Sequence, residues 1–208
     1  MAEGRAAREL PAHISVRRVR AEDWQLIRDL RLEALHDPMA RVAFLETVEQ
    51  AEARPGEEWR SRAAAHSEGN ASAQFLAESG TELIGSVAVI VRSMGVPDYF
   101  DRVPDVDLPT VVGVYVSPRG RGLGVIDALL AAAAHWAEQR GDRELTLDVH
   151  ESNSAAIRAY QRAGFEVRSE FVSESGRELG MVKPLPARNH GWFIRHSPNR
   201  RLPVLPPE

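Results

Sequence analysis

Between a β-branched segment ending at Val116 and an apolar helical pattern lies Ser117-Pro118-Arg119-Gly120-Arg121-Gly122-Leu123-Gly124, a glycine-rich turn whose chemistry suits phosphate. A turn feeding a helix leaves the first N–H groups without intrahelical acceptors. The helix dipole adds partial positive charge at the same place, so an anion is favoured there. Gly122 and Gly124 carry no side chain to hold a phosphate away from the backbone, and Arg119 and Arg121 add charged donors. Two common nucleotide motifs do not fit. A P-loop ends in Gly-Lys-Ser/Thr, whereas Gly124 is followed by Val125-Ile126. A dinucleotide site has Gly-x-Gly-x-x-Gly near the first strand, whereas here Gly-x-Gly-x-Gly comes late in the chain. Taken alone, the turn also fits a surface loop with incidental arginines.

The elements that must position this turn follow from periodicity. ISVRRV (14–19) reads as a first strand, and Trp24, Ile27, Leu30 and Ala34 mark one face of a helix from Asp23 that ends near His36, before Pro38. A second helix runs from about Glu57 to His66 after Pro55-Gly56. Gln74–Ser79 and Leu83–Arg92 form a hairpin, and 93–109, with three prolines and four aspartates, is a long loop. Then come strand Thr110–Val116, helix Gly122–Arg140, strand Glu144–His150, helix Asn153–Ala163 and a hairpin of 165–173 with 177–183. Hairpins combined with a strand–helix–strand crossover predict an α/β (α+β) fold, a mixed sheet with helices on its faces. Residues 1–13 read as a loose terminus, 14–186 as one domain and 187–208 as a tail that docks, exchanges with a second subunit or stays loose.

Composition narrows the function classes. A net charge of -4 gives no general attraction to nucleic acid or to an anionic membrane. The first residues lack an apolar core for a secretory signal, and Val125–Ala137 is too short to span a bilayer, so a cytoplasmic protein is expected. The chain has no cysteine, which removes disulfides, thiolate metal sites and a cysteine nucleophile. Seven histidines are scattered without a His-x-His or His-Glu-x-x-His pair, so no catalytic metal is expected. Trp24, Trp59 and Trp136 fall within helical patterns and read as core. Tyr99 and Phe100, in the acidic loop, read either as a cap on a pocket or as packing over the sheet.

Arg119-x-x-Gly122-x-Gly124 resembles the Gln/Arg-x-x-Gly-x-Gly/Ala signature of the GCN5-related N-acetyltransferases (GNAT). Downstream, Asn153-Ser-Ala-Ala-Ile-Arg-Ala-Tyr160-Gln-Arg-Ala-Gly164-Phe165 is similar to the second signature of that family, and the resemblance covers roughly residues 14–184. It implies the GNAT fold: a mostly antiparallel central sheet of six to seven strands, helices on both faces and a V-shaped split between strands 4 and 5. It implies acetyl-CoA as cosubstrate. The main chain of Val114, Tyr115 and Val116 would pair with the pantetheine arm, and the Val116 N–H would face the thioester oxygen. Arg119, Gly120, Arg121, Gly122, Leu123 and Gly124 would hold the diphosphate. Asn153 would reach the cofactor, and Tyr160 would protonate the departing thiolate.

One departure stands out. Many relatives carry a glutamate on the fourth strand as base, and Thr110-Val111-Val112-Gly113 has no acid. Glu78, Asp105, Asp107, His150 or a water chain are the alternatives, and they stay open. Without cysteine, an acyl-cysteine route is closed and direct attack in a ternary complex is expected. The acceptor would be an amine of a small molecule or of a protein, and a homodimer is left open. The rival expectation is a domain that binds acetyl-CoA without turnover, as a sensor or scaffold.

Overall fold

The computed structural model describes residues 10–186. The expectations for residues 1–9 and for the 187–208 tail lie outside the described residues. The elements are β1 (Ile14–Arg18), α1 (Trp24–Leu35), α2 (Ala40–Ala43), α3 (Val48–Ala53), α4 (Gly56–Ser67), β2 (Ser72–Ser79), β3 (Glu82–Arg92), β4 (Leu108–Val116), α5 (Val125–Arg140), β5 (Glu144–His150), α6 (Ser154–Arg162), β6 (Glu166–Ser173) and β7 (Gly176–Pro184). The strands form one seven-stranded sheet in the order β1-β2-β3-β4-β5-β7-β6. Every neighbouring pair is antiparallel except β4 and β5, which are parallel across the α5 crossover.

Alternation along the central strands gives the sheet two apolar faces. Phe75, Val87, Val89 and Val111 pack with Val125, Leu129, Leu130 and Ala133 of α5. Leu76, Leu83 and Tyr115 face the other way, onto Ile27, Leu30 and Ala34 of α1 and Trp59 and Ala63 of α4. Trp59 and Trp136 are buried and Trp24 is half-buried against the α1–α4 layer, in keeping with a core role. The helices therefore cover both faces, and the sheet lies between them.

Element ends differ from the periodicity reading by a residue or two, and two regions differ by more. Helix α5 begins at Val125 rather than Gly122, because Gly122 and Gly124 sit at φ +77° and +84°. That region is left-handed and open to glycine. Two short helices, α2 and α3, occupy the stretch before Pro55 to which the periodicity assigned no element. Helix α3 carries a capping box: the Thr47 side chain accepts from Gln50 N, while Gln50 Oε1 accepts from Thr47 N. Thr-x-x-Gln was visible in the sequence and marks that start.

Candidate active site

The site is the gap between β4 and β5. The two strands pair only through Thr110–Thr146 and Val111–Leu147 and then part. At the closed end the two threonine hydroxyls lie 2.8 Å apart, and Arg92 Nε donates to Thr110 Oγ1 at 2.8 Å. A β-bulge helps the divergence. Ser86 pairs with Tyr115 and Ala88 with Val112, so β4 spends one residue more than β3, and Gly113 takes the left-handed conformation, φ +60°, within the bulge. From Val112 to Val116, β4 has no strand partner on the β5 side among the described residues. A cavity of about 1700 Å³ occupies the gap.

At the wide end of the gap lies the glycine turn. Pro118–Gly120 makes one 3₁₀ turn, and Gly124 is the N-cap of α5 with no side chain to satisfy the first helical N–H groups. Gly120 seats the turn on β3, since a Cβ there would lie 3.1 Å from the Ile84 carbonyl oxygen. Gly120, Arg121, Gly122 and Gly124 line the cavity, as do Val114, Tyr115 and Val116. Arg121 donates to Val116 O at 3.1 Å and pairs with Asp37, which ties the turn to the segment after α1. Arg119 and Leu123 do not line the cavity. Arg119 pairs with Glu82 at 2.8 Å and Glu33 at 3.5 Å, and Leu123 packs against the α5-side core. The Tyr115 side chain goes to the opposite face, where its hydroxyl donates to Glu33.

Helix α6 supplies the rest. Asn153 caps it by accepting from Ala156 N at 3.2 Å and also borders the cavity. Tyr160 lines the cavity while 7% exposed, its ring edge-on to Phe165 at 6.1 Å. Burial pushes its phenol above the ordinary tyrosine range, and among the described residues its hydroxyl has no hydrogen-bond partner. The rest of the second motif has a structural basis. Gly164 closes α6 at φ +90°, Phe165 N donates to Tyr160 O, and Phe165 is buried in the core.

Of the four side chains considered as base, only His150 lines the cavity. Glu78 pairs with Arg17 on the β1–β2 edge, Asp107 accepts from Met94 N in the loop after β3, and Asp105 also lies in that loop, off the cavity. Asp148 and Glu178 also line it. Sequence reasoning missed both, although Thr146, Asp148 and His150 alternate with the buried Leu145, Leu147 and Val149 and so share one face of β5. Glu178 is opposite His150 in the β5–β7 ladder and accepts from Ser173 and Ser175.

The loop between β3 and β4 is pinned across this mouth. Asp98, its side chain 1% exposed, accepts from Phe100 N and Arg102 N and pairs with Arg92 and Arg102. Arg102 also holds Asp148 through both oxygens and lies over Phe171. Tyr99 and Phe100 consequently line the cavity, Phe100 against Phe171 and the Tyr99 hydroxyl against Asp148. Desolvation opposes the Asp98 charge, but the N–H groups and two guanidiniums outweigh it and bring its pKa down to about 2. A carboxyl held below its unfolded value stabilises the fold above about pH 4, and the gain is lost as pH falls towards 2. Asp98→Asn is therefore expected to cost about 2 kcal/mol at pH 7, by urea unfolding, and progressively less below pH 4.

A sequence model of the Acetyltransferase (GNAT) family matches residues 30–165. Aminoglycoside N(6')-acetyltransferase type 1 of Klebsiella aerogenes is 47% identical over 53 residues, 26% of this chain and 35% of that protein. The chain thus matches only about a third of that curated relative's length. Among solved structures, a GNAT-family acetyltransferase from Streptococcus pneumoniae superposes with a TM-score of 0.66 at 18% identity, covering 83% of this chain and 99% of that one. A phosphinothricin acetyltransferase from Sinorhizobium meliloti, solved with acetyl-CoA, gives 0.63 at 20% identity over 83% and 89%. At these identities the structures speak to the fold alone.

Proposed function

This chain belongs to the acetyltransferase (GNAT) family, and from that premise we propose that it moves the acetyl group of acetyl-CoA onto an amine, most simply of a small molecule. The observation that carries the reading is the open β4 edge from Val112 to Val116, which runs from the narrow end of the gap to a glycine-capped helix start, with Tyr160 on the wall. An extended arm with amide groups can add to such an edge as a strand, and a diphosphate suits the turn at its end. The small-molecule preference is supported by the activity of the aminoglycoside acetyltransferase to which part of the chain is similar.

In this reading the amine attacks the thioester carbonyl, and the Val116 N–H stabilises the charge growing on oxygen. The carbon–sulfur bond breaks, and Tyr160 gives its proton to the leaving thiolate. His150, whose Nδ1 faces Ser152 Oγ and N and whose Nε2 faces Ser175 O, takes the proton that the amine releases, through water and once Nδ1 gives up its contacts with Ser152. Asp148 is left out of that role because both its oxygens are held by Arg102. Gly122 and Gly124 hold the diphosphate, and Arg121 braces the turn.

Acetyl-CoA at about a hundred times its Kd is expected to raise the melting temperature by roughly 5–10 °C. A panel of primary amines is then expected to release free thiol from it, measured with a chromogenic disulfide. A melting shift without thiol release from any amine would replace catalysis with binding alone, as in a sensor. No shift would remove acetyl-CoA from the account.

A further inference from the structure

The cavity opens on both faces of the sheet. On the α5–α6 face it is walled by Val125, Ile126 and Tyr160, and on the opposite face by the stretch from α1 to α4. Helix α2 lies against β5 and so bridges the gap on that second face. If acetyl-CoA is anchored at the start of α5, the second face is where an acceptor can approach its acyl end.

That face carries an excess of positive charge, although the chain as a whole is at -4. Between residues 31 and 62 the cavity is lined by Arg31, Arg41, Arg54 and Arg62, against only Asp37 and Glu46. Asp37 is committed to Arg121. Glu46 is shared between Arg31 at 2.8 Å and Arg54, Arg54 also pairs with the more exposed Glu58 at 3.5 Å, and Arg54 Nη1 is buried without a hydrogen-bond partner among the described residues. Arg62 has no carboxylate within 4.0 Å among the described residues, and its guanidinium lies 5.9 Å from the Trp59 ring centroid. Partial desolvation and the charges of Arg54 and Arg31 act to lower its pKa, against the opposing charges of Glu46 and Glu58, and an anion at this spot would relieve the two repulsions.

We infer that the acceptor is an amino carboxylate, such as a free amino acid, whose carboxylate binds Arg62 beside the Glu46-organised Arg31 and Arg54 while its amine points to the thioester. A guanidinium binds a carboxylate through two parallel hydrogen bonds, which fixes direction as well as position. A polycation would instead meet like charge at this mouth. The inference rests on the acetyltransferase reading above and adds the acceptor class to it.

The test compares matched pairs in the thiol-release assay: an amino acid against the amine lacking its carboxylate, with spermidine and an aminoglycoside as polycations. The carboxylated member of at least one pair is expected to show a kcat/KM about tenfold or more above its partner. Arg62→Gln should bring that ratio near one, and Arg62→Glu should reverse it, with acetyl-CoA affinity by calorimetry unchanged within about twofold. Because Arg62 is exposed on α4, both variants are expected to keep the wild-type melting temperature. Release with the polycations or neutral amines but not with their carboxylated partners would overturn the acceptor class alone. So would a preference for the carboxylate that Arg62→Glu leaves untouched. Release with no amine at all would overturn this inference together with the reading beneath it.

Discussion

Tyr160→Phe is expected to lower kcat by roughly a hundredfold to ten-thousandfold while leaving acetyl-CoA affinity within a factor of about two. The change deletes one oxygen from a side chain that is 7% exposed and packed on Phe165, so the cavity wall and the fold should persist. On the proposed reading, what disappears is the proton for the departing thiolate. Burial raises the phenol above the ordinary tyrosine range, so it stays protonated through neutral and mildly alkaline pH. The ratio of wild-type to variant rate should therefore be flat from about pH 6 to pH 9. A loss of less than about fivefold at saturating substrates would reduce Tyr160 to a packing residue.

The second large effect is expected at Gly124. It caps α5 at φ +84°, where Asn and Asp are the side chains best able to follow glycine. Both also make good N-caps, so Gly124→Asn and Gly124→Asp should fold. Their carboxamide and carboxylate would accept from the helix N–H groups that a diphosphate needs, and the carboxylate would repel it as well. Calorimetry is expected to show acetyl-CoA affinity falling about tenfold for the Asn variant and about a hundredfold for the Asp variant. Wild-type affinity in Gly124→Asp would move the diphosphate away from this turn.

The two glycine-containing motifs were legible because their chemistry is local. A turn at a helix start, and a capped helix ending in Gly-Phe, can be read from consecutive residues, and the structure brings Gly120, Gly122, Gly124, Asn153 and Tyr160 to one cavity. Strand β5 was read with its bounds, Glu144–His150, since alternation there is clean. The acceptor side was less legible. Helices α2 and α3 are four and six residues long, too short for a periodic signal. Glu178 reaches His150 only through the β5–β7 register, a pairing across α6 and β6 that no local pattern encodes. Arg119 shows the converse. It matches the motif by spacing, yet Glu82 and Glu33, both distant in sequence, draw it off the cavity. The aromatic pair at 99–100 lines the mouth because Asp98 gathers Arg92 and Arg102 around itself, a three-way contact invisible to composition.

The seven-stranded sheet is held together between β4 and β5 by two ladder rungs, beside the Thr110–Thr146 hydroxyl contact. An amide-bearing arm laid along Val112–Val116 would act as a splint between the halves. Arg31, Arg54 and Arg62 belong to one half, whereas Asp148, His150 and Glu178 belong to the other. Helix α2 against β5, helix α5 and the Arg102–Asp148 pair already tie the two sides together, and an arm laid in the gap would add further rungs between them. On the proposed reading, acetyl-CoA is expected to bind before the acceptor, an order that product-inhibition patterns would check.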